Sequence, residues 1–572
     1  MMNRLVLPLL LVCVSDSLLA SPAPERYLVG TRRAASLSPA RILEAAGLDE
    51  QRDVTTFTEV DGFAAELTES EVAILRASPQ VRFIEPDRER HLLSTNIGPR
   101  AIGSLQVRNR KAETTPDGIV MVGASSLWPF TTGSRIKVGV IDTGIDRSHP
   151  DLQDRYKGGR NFVTGTNDPH DDNGHGTHVA GTIAASSDGM GVVGVAPTVD
   201  IYALKALNAS GSGSSAKVIE AVDWAIANHL DILSLSLGAY ESSLLEEEAF
   251  KRAEDAGILT IAASGNDGKE NLVSFPAAYS SVIAVGAVDA ASRIAGFSNG
   301  GAQLRLVGPG VRVLSTVPRG TAEFADITSP RATIGGRTIV GSPTVAEVEG
   351  EFVYCGYGDV ADFPASVQGR IALIMRGGPT ATTRLTFNAK AKNAKAAGAI
   401  AVIVFDDKSQ GPPVTPTFIA TVSTPAGCTT LCTVKDNPAD LAFPWPLSLF
   451  VSKSQGEALL TESSSTITVS SRRDDYKEMS GTSMSTPHIS GVAALVWSLA
   501  PDAPAALVRN ALIQTAKDLG APGLDTTFGH GLVDAHAAAM LLAPQKLGSG
   551  ATPLPPAPPT GPTQGRRRST RR

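Results

Sequence analysis

Cysteine is scarce, with four in 572 residues, and Cys13 falls in the leading apolar stretch, which leaves Cys355, Cys428 and Cys432. Three scattered cysteines without nearby histidines argue against a thiolate zinc site. Only Cys428 and Cys432 are close enough in sequence to close a small disulfide loop in an oxidising compartment, and Cys355 stays unassigned. A dominant charge is missing too: 51 Lys and Arg against 57 Asp and Glu leave a net charge of -6. Nucleic-acid and anionic-membrane partners ask for a strong basic face, so neither is expected. Aromatic residues make up 5%, against 42% apolar and 19% charged, the profile of a soluble globular chain. At this length one hydrophobic core gives way to several domains.

Long apolar runs are also lacking. Arg4 precedes an apolar run from Leu5 to Val14, and Leu18-Leu19-Ala20 follows before Ser21-Pro22. That run is too short for a bilayer core of roughly 30 Å, and it reads as an export signal over residues 1–20, cut after Ala20. A secreted, extracellular protein without stable membrane insertion is the expectation.

Residues 26–93 alternate strand-like and helix-like pieces. Arg26–Gly30, Asp53–Val60, Gly62–Leu67 and Val81–Glu85 suit strands. Pro39–Ala46 suits a helix, and Thr68 with Glu71 forms a capping box that opens another running to about Ala77. The order is that of a small split βαβ, ferredoxin-like α+β unit. Residues 94–114 read as an exposed linker.

The large block from about Thr115 to Pro318 resumes at Asp474. Arg135–Ile141 is a β-branched run without turn residues, ending at Asp142-Thr143-Gly144, as a buried parallel strand would. Similar runs recur at Val199–Ala203, Ile232–Leu237, Ile258–Ala263 and Ser281–Val288. Helix-compatible stretches lie between them at Gly176–Ala185, Ser215–Asn228 and Leu244–Ala256. This alternation predicts an α/β fold, a parallel sheet flanked by helices, with functional groups at the carboxyl ends of the strands.

Four short stretches carry chemistry: Asp142-Thr-Gly, Asn173-Gly-His175-Gly-Thr-His-Val-Ala-Gly181, Ala263-Ser-Gly-Asn266 and Gly481-Thr-Ser483-Met-Ser-Thr-Pro-His488. A serine hydroxyl becomes a nucleophile when an imidazole takes its proton, and a carboxylate holds that imidazole in the useful tautomer. An oxyanion needs preorganised donors, which the Asn266 amide and the Ser483 backbone N–H are placed to give. Gly176 and Gly181 inside a helix each cost about 1 kcal/mol against alanine, which points to close packing there. His149, His170, His178 and His488 read as structural or exposed, and Asp146 as a turn residue.

In the chain order Asp, His, Ser, these stretches resemble the subtilisin-like serine peptidases over residues 115–318 and 474–540. The resemblance implies Asp142, His175 and Ser483 as the catalytic triad, with Asn266 as the oxyanion amide. It implies Ser236, Leu237, Gly238, Ala263 and Gly265 as substrate-binding residues, and residues 21–111 as an inhibitory propeptide that leaves its C-terminal segment in the substrate cleft. Self-cleavage is then expected between Leu93 and Thr114, giving a mature chain from near Ala112. The loop Ala185-Ser-Ser-Asp-Gly-Met-Gly-Val192 resembles a calcium-wrapping loop of that family. It offers Asp188 and the carbonyls of Ser186, Met190 and Val192, with Asp151 and Glu113 as further ligands and a glycine-rich surface turn as the other reading. No organic cofactor is implied; protein or peptide substrates and the chain's own propeptide are the expected partners.

Residues 319–473 interrupt that pattern. Gly369–Gly378 followed by Phe387–Val404 reads as strand, helix, strand and resembles an inserted α/β protease-associated domain with a core at about 350–450. It would shape cleft access, bind protein substrate, or act as a spacer. The catalytic domain then takes 112–318 and 474–543. Residues 544–572, rich in Pro and Arg, are expected to be a disordered tail. Two other classes remain in view: a catalytically silent binding protein, opposed by the uninterrupted catalytic motifs, and a secreted esterase, opposed by Ser485 where a nucleophile elbow carries glycine.

Overall fold

The computed structural model describes residues 24–32, 38–49, 51–93, 112–380, 384–408, 420–421, 435–436, 442–462 and 465–547. The expected signal, the linker before residue 112 and the Cys428 and Cys432 pair lie outside them. The described residues form two units, one of residues up to Arg88 with Ser243–Leu245, the other of Glu89–Ser242 and Glu246 onward.

In the first unit an antiparallel sheet runs in the order Val54–Thr56, Gly62–Leu67, Glu25–Thr31, Val81–Pro86. Helices Pro39–Ala45 and Glu69–Arg76 supply Leu43 and Leu75 to a core with Val29, Phe63 and Ile84. The Thr68–Glu71 capping box is present, with both reciprocal bonds made. The expected strand at Asp53–Val60 is only three residues long.

The second unit is built on a seven-stranded sheet in the order Leu304–Pro309, Val282–Val288, Leu259–Ala263, Ile232–Leu235, Lys137–Asp142, Asp200–Lys205, Tyr156–Asn161. Every pairing is parallel. The five central strands are those that the apolar runs announce. The two edge strands were not expected, because Tyr-Lys-Gly-Gly-Arg-Asn has no apolar pattern and the other ends in proline. From Lys137–Asp142 the chain lays strands on one side and then, from Ile232, on the other. This reversal opens a crevice at the carboxyl ends of the two strands.

Helix Thr482–Leu499 is buried on all sides except at Ser498. Its Ile489, Val492, Ala493 and Val496 pack with Val138, Ile261, Ile283 and Leu306 from the sheet. A helix apolar all round belongs inside a core, and here it carries its first turn to the crevice.

The interruption folds as a closed barrel of seven strands, from Ala322–Thr328 to Thr466–Asp474. The strand–helix–strand expectation appears in it as Ile371–Met375, Phe387–Ala396 and Ala401–Phe405. The barrel nevertheless exceeds the expected core of 350–450, because both its first and last strands lie outside that range. Pro544–Leu547, assigned to the tail by composition, is helical.

Candidate active site

Asp142 ends the strand Lys137–Asp142, and His175 begins the helix His175–Ala184. His175 Nδ1 lies 2.8 and 3.0 Å from the two carboxylate oxygens of Asp142, satisfied when Nδ1 carries the proton. Asp142 is wholly buried, and Oδ1 also accepts from the Thr143 backbone N–H at 2.8 Å. Burial by itself lowers the His175 pKa, but the charge of Asp142 and its hydrogen bond outweigh that and raise it above 6.5. Gly176 explains how the two elements come so close, because a Cβ there would collide with the Gly144 carbonyl; Gly181 lets the same helix pack against the strand Val313–Thr316, where a Cβ would collide with the Thr316 hydroxyl.

Asp171 was missed in the sequence. Its buried carboxylate accepts from Thr143 Oγ1 (2.8 Å), Asn173 N (3.0 Å), Gly174 N (2.8 Å), Thr177 N (2.9 Å) and Thr177 Oγ1 (2.6 Å). It therefore ties the residue after Asp142 to the turn that presents His175. An acid two residues before an Asn-Gly turn has no local signature of such a role.

Ser483 sits in the first turn of the buried helix. Pro487 has no N–H to bond the Ser483 carbonyl four residues back, and the Ser236 hydroxyl donates to that carbonyl instead, at 2.8 Å. In return the Ser483 hydroxyl donates to the Ser236 carbonyl at 3.0 Å, with a second contact to the Leu93 carbonyl at 3.4 Å. Among the described residues no hydrogen bond joins it to the His175 ring, so the continuous Asp–His–Ser line expected from the sequence is complete only as far as the imidazole.

The Asn266 amide donates to the same Leu93 carbonyl. Leu93 directly follows a strand, Glu89–Leu92, which no sequence pattern announced. The strand lies between two others: Leu92 and His91 pair with Leu237 and Gly238, and Glu89, Arg90 and His91 pair with Ser214, Gly213 and Ser212. Of the expected substrate-binding residues, Leu237 and Gly238 meet this segment as a strand, and Ser236 touches the serine. Ala263 is fully buried at the end of its own strand. Gly265, at φ 118°, carries its N–H to Thr482 Oγ1. His178, His488 and His149 are structural: burial pushes His178 down to about 3 and His488 to about 4, and His149 bonds the Asp475 carbonyl. His170 is exposed.

In the candidate calcium loop Asp188 and Glu113 lie near enough to Asp151 to act on its charge. Burial, with the like charges of Asp188 and Glu113, raises Asp151 to about 6, although the Val192 N–H and Tyr476 hydroxyl both donate to it. Glu113 accepts from Ser187 Oγ and the Gly189 N–H. Among the described residues no three His, Cys, Asp or Glu side chains form a metal-holding group. A cation here would thus lean on the carbonyls of Ser186, Met190 and Val192 as well as the acids, an oxygen-rich set that fits a hard ion.

Residues 133–334 and 377–531 match the subtilase family, and residues 29–93 match the peptidase inhibitor I9 family. The chain is a member of the subtilase family. Subtilisin E of Bacillus subtilis (strain 168) is 38% identical over 307 residues, 53% of this chain and 75% of that protein. A thermostable alkaline protease of Halalkalibacterium halodurans is 42% identical over 278 residues, 48% of this chain and 71% of that one. The solved structure of a psychrophilic subtilisin-like protease, Apa1 of Pseudoalteromonas sp. AS-11, matches with TM-score 0.50 and 33% identity, covering 77% of this chain and all of that one. The subtilase is accordingly a serine-type endopeptidase, with an I9 inhibitor segment ahead of its catalytic region. The I9 match ends at Leu93, the residue whose carbonyl meets Asn266 and Ser483.

Proposed function

We propose that this subtilase is exported as an inactive precursor, cuts itself after Leu93, and then hydrolyses peptide bonds in protein substrates through an acyl-enzyme on Ser483. The observation that carries this reading is the Leu93 carbonyl, which accepts from the Asn266 amide while Ser483 Oγ stands 3.4 Å away. An amide suited to hold an oxyanion is thus already on a peptide carbonyl beside the serine, directly after the strand Glu89–Leu92.

In the proposed reaction the Ser483 hydroxyl leaves the Ser236 carbonyl, gives its proton to His175 Nε2 and bonds the Leu93 carbonyl carbon. Asp142 keeps Nδ1 protonated and stabilises the imidazolium. The carbonyl oxygen, now negative, is held by Asn266. His175 returns the proton to the departing amine of Ser94, and water then hydrolyses the ester by the same route in reverse. The Leu93–Ser94 bond is favoured over a start near Ala112 because Leu93 is the residue at the nucleophile. Until it leaves, the segment occupies the strand position that a substrate would take between Leu237–Gly238 and Ser212–Ser214, which explains the inhibition. When bound, calcium on Asp151, Asp188, Glu113 and the carbonyls of Ser186, Met190 and Val192 would offset their mutual repulsion; it takes no part in the reaction. Export rests on the apolar leader. Among the described residues no helix is long and apolar enough to cross a membrane.

The test is the purified Ser483→Ala precursor, which is expected to stay full length while the unchanged chain yields a fragment beginning at Ser94. The mature protein should take up a fluorophosphonate label and cleave casein faster than simple esters. Loss of the segment by Ser483→Ala overturns self-processing. Absence of labelling favours a binding protein, and ester preference favours an esterase.

A further inference from the structure

Arg90 stands apart in the segment that fills the cleft. Among Glu89–Leu93 it alone is buried, and its exposure is 0%. A guanidinium cannot lose its water without a partner of opposite charge and full hydrogen bonding. Glu246, also 0% exposed, is that partner: Arg90 Nε donates to Oε1 at 3.0 Å and a terminal nitrogen donates to Oε2 at 2.7 Å. The other terminal nitrogen donates to the Glu89 carbonyl at 2.9 Å. This two-toothed pairing matches the planar fork of arginine, and a lysine ammonium could not reproduce it.

The carboxylate belongs to the enzyme side of the cleft. Glu246 lies in the first turn of helix Leu244–Asp255, where the helix dipole favours an acid. The Tyr279 hydroxyl donates to Oε2 at 2.9 Å and fixes its orientation. The Phe275 and Phe250 rings lie 4.9 and 6.1 Å from the Tyr279 ring and make one wall apolar. Counting back from Leu93, Arg90 is the fourth residue before the bond presented to Ser483. Whatever chain next adds itself as a strand beside Leu237–Gly238 must put its own fourth residue against Glu246.

We propose that this peptidase selects arginine four residues before the bond it cuts, with Glu246 as the residue that determines the choice. The inference rests on the reading that Leu93 marks the site of attack. An apolar fourth residue would leave the buried Glu246 carboxylate without the two guanidinium hydrogen bonds and without a compensating positive charge, and a lysine would supply the charge without the two-toothed pairing. The demand falls on one substrate position; His91 and Leu92 remain partly or wholly exposed and carry no such requirement.

The experiment compares mature enzyme on three p-nitroanilides, Arg-His-Leu-Leu, Lys-His-Leu-Leu and Leu-His-Leu-Leu, each N-terminally blocked. The expected kcat/KM for arginine over leucine is about a hundredfold, with lysine between them. In Glu246→Gln the arginine advantage should shrink to a few-fold, and in Glu246→Leu the leucine peptide should overtake. Should a variant fail to fold, the three peptides on the unchanged enzyme still decide the matter. Equal turnover of the three by enzyme that takes the fluorophosphonate label and cleaves casein overturns this proposal alone. An arginine preference that survives Glu246→Leu moves the selection to another residue and overturns the assignment. Enzyme that neither labels nor cleaves any of them overturns the peptidase reading and this one with it.

Discussion

Thr482 holds the Asn266 amide in one orientation, its backbone N–H and its hydroxyl both donating to Asn266 Oδ1, at 2.8 and 2.9 Å. With the oxygen engaged twice, the amide nitrogen is turned to the Leu93 carbonyl. Electrostatic stabilisation of this kind depends on donors that need no reorganisation as charge develops. Asn266→Ala is therefore expected to lower kcat by about 10²–10³-fold with little change in KM. Thr482→Val keeps the backbone donor and loses only the hydroxyl, so its loss in kcat should be much smaller. Steady-state kinetics on one peptide substrate check both; a Thr482→Val loss as large as that of Asn266→Ala would mean that the hydroxyl does more than orient the amide.

The His175–Asp142 pair sets the pH dependence. The imidazole accepts the serine proton only in its neutral form, and Asp142 raises its pKa above the ordinary 6.5. Activity should accordingly fall as pH drops through a midpoint above 6.5, since a raised pKa keeps the ring protonated to higher pH. Asp142→Asn removes the charge and replaces one of the two oxygens facing His175 Nδ1 by an N–H donor, which favours the wrong imidazole tautomer. The acid limb of kcat/KM should move to lower pH, and kcat should fall by about 10⁴-fold. A limb that stays in place would show that another group controls it.

The sheet and the reacting side chains were legible where physics leaves a local trace. Central strands such as Val282–Val288, buried on both faces, are continuous apolar runs, and Asp142 marks the end of one. Asp171 and Glu246 left no such trace, because each is an ordinary acid in sequence and gains its part only from residues brought to it by folding. The same holds for Glu89–Leu92, a strand whose partners lie more than a hundred residues ahead. The barrel extended beyond its expected core because its closing strands, Ala322–Thr328 and Thr466–Asp474, find each other across the whole insertion.

Close packing between the two elements that carry Asp142 and His175 gives a separate expectation. Gly176→Ala places a methyl against the Gly144 carbonyl, which is backbone and cannot swing aside. A destabilisation of about 1–3 kcal/mol is expected from overpacking of this kind. Displacement of His175 from Asp142 should lower kcat as well. Gly320→Ala, at an open turn with φ +68° and nothing within 4 Å of its Cβ, serves as the control for backbone strain alone. Thermal unfolding and kcat measured on both variants separate the effects: Gly320→Ala should affect stability and leave kcat unchanged.

Chelation tests the cluster of Asp151, Asp188 and Glu113. Burial with two like charges nearby makes the ionised Asp151 costly, and a bound cation would offset that cost. Adding EDTA to the mature enzyme at neutral pH should lower its melting temperature, and restoring calcium should recover it, with the shift growing as calcium rises above its Kd. Asp188→Ala removes one acid from the exposed loop and relieves part of the repulsion. The variant should show a weakened calcium response while retaining much of its stability in EDTA. Magnesium, which demands a tighter octahedron, should protect poorly. A melting temperature indifferent to EDTA in the unchanged enzyme would leave this loop a glycine-rich turn with one buried and two more accessible acids, held by hydrogen bonds from Ser187, Gly189, Met190, Val192 and Tyr476.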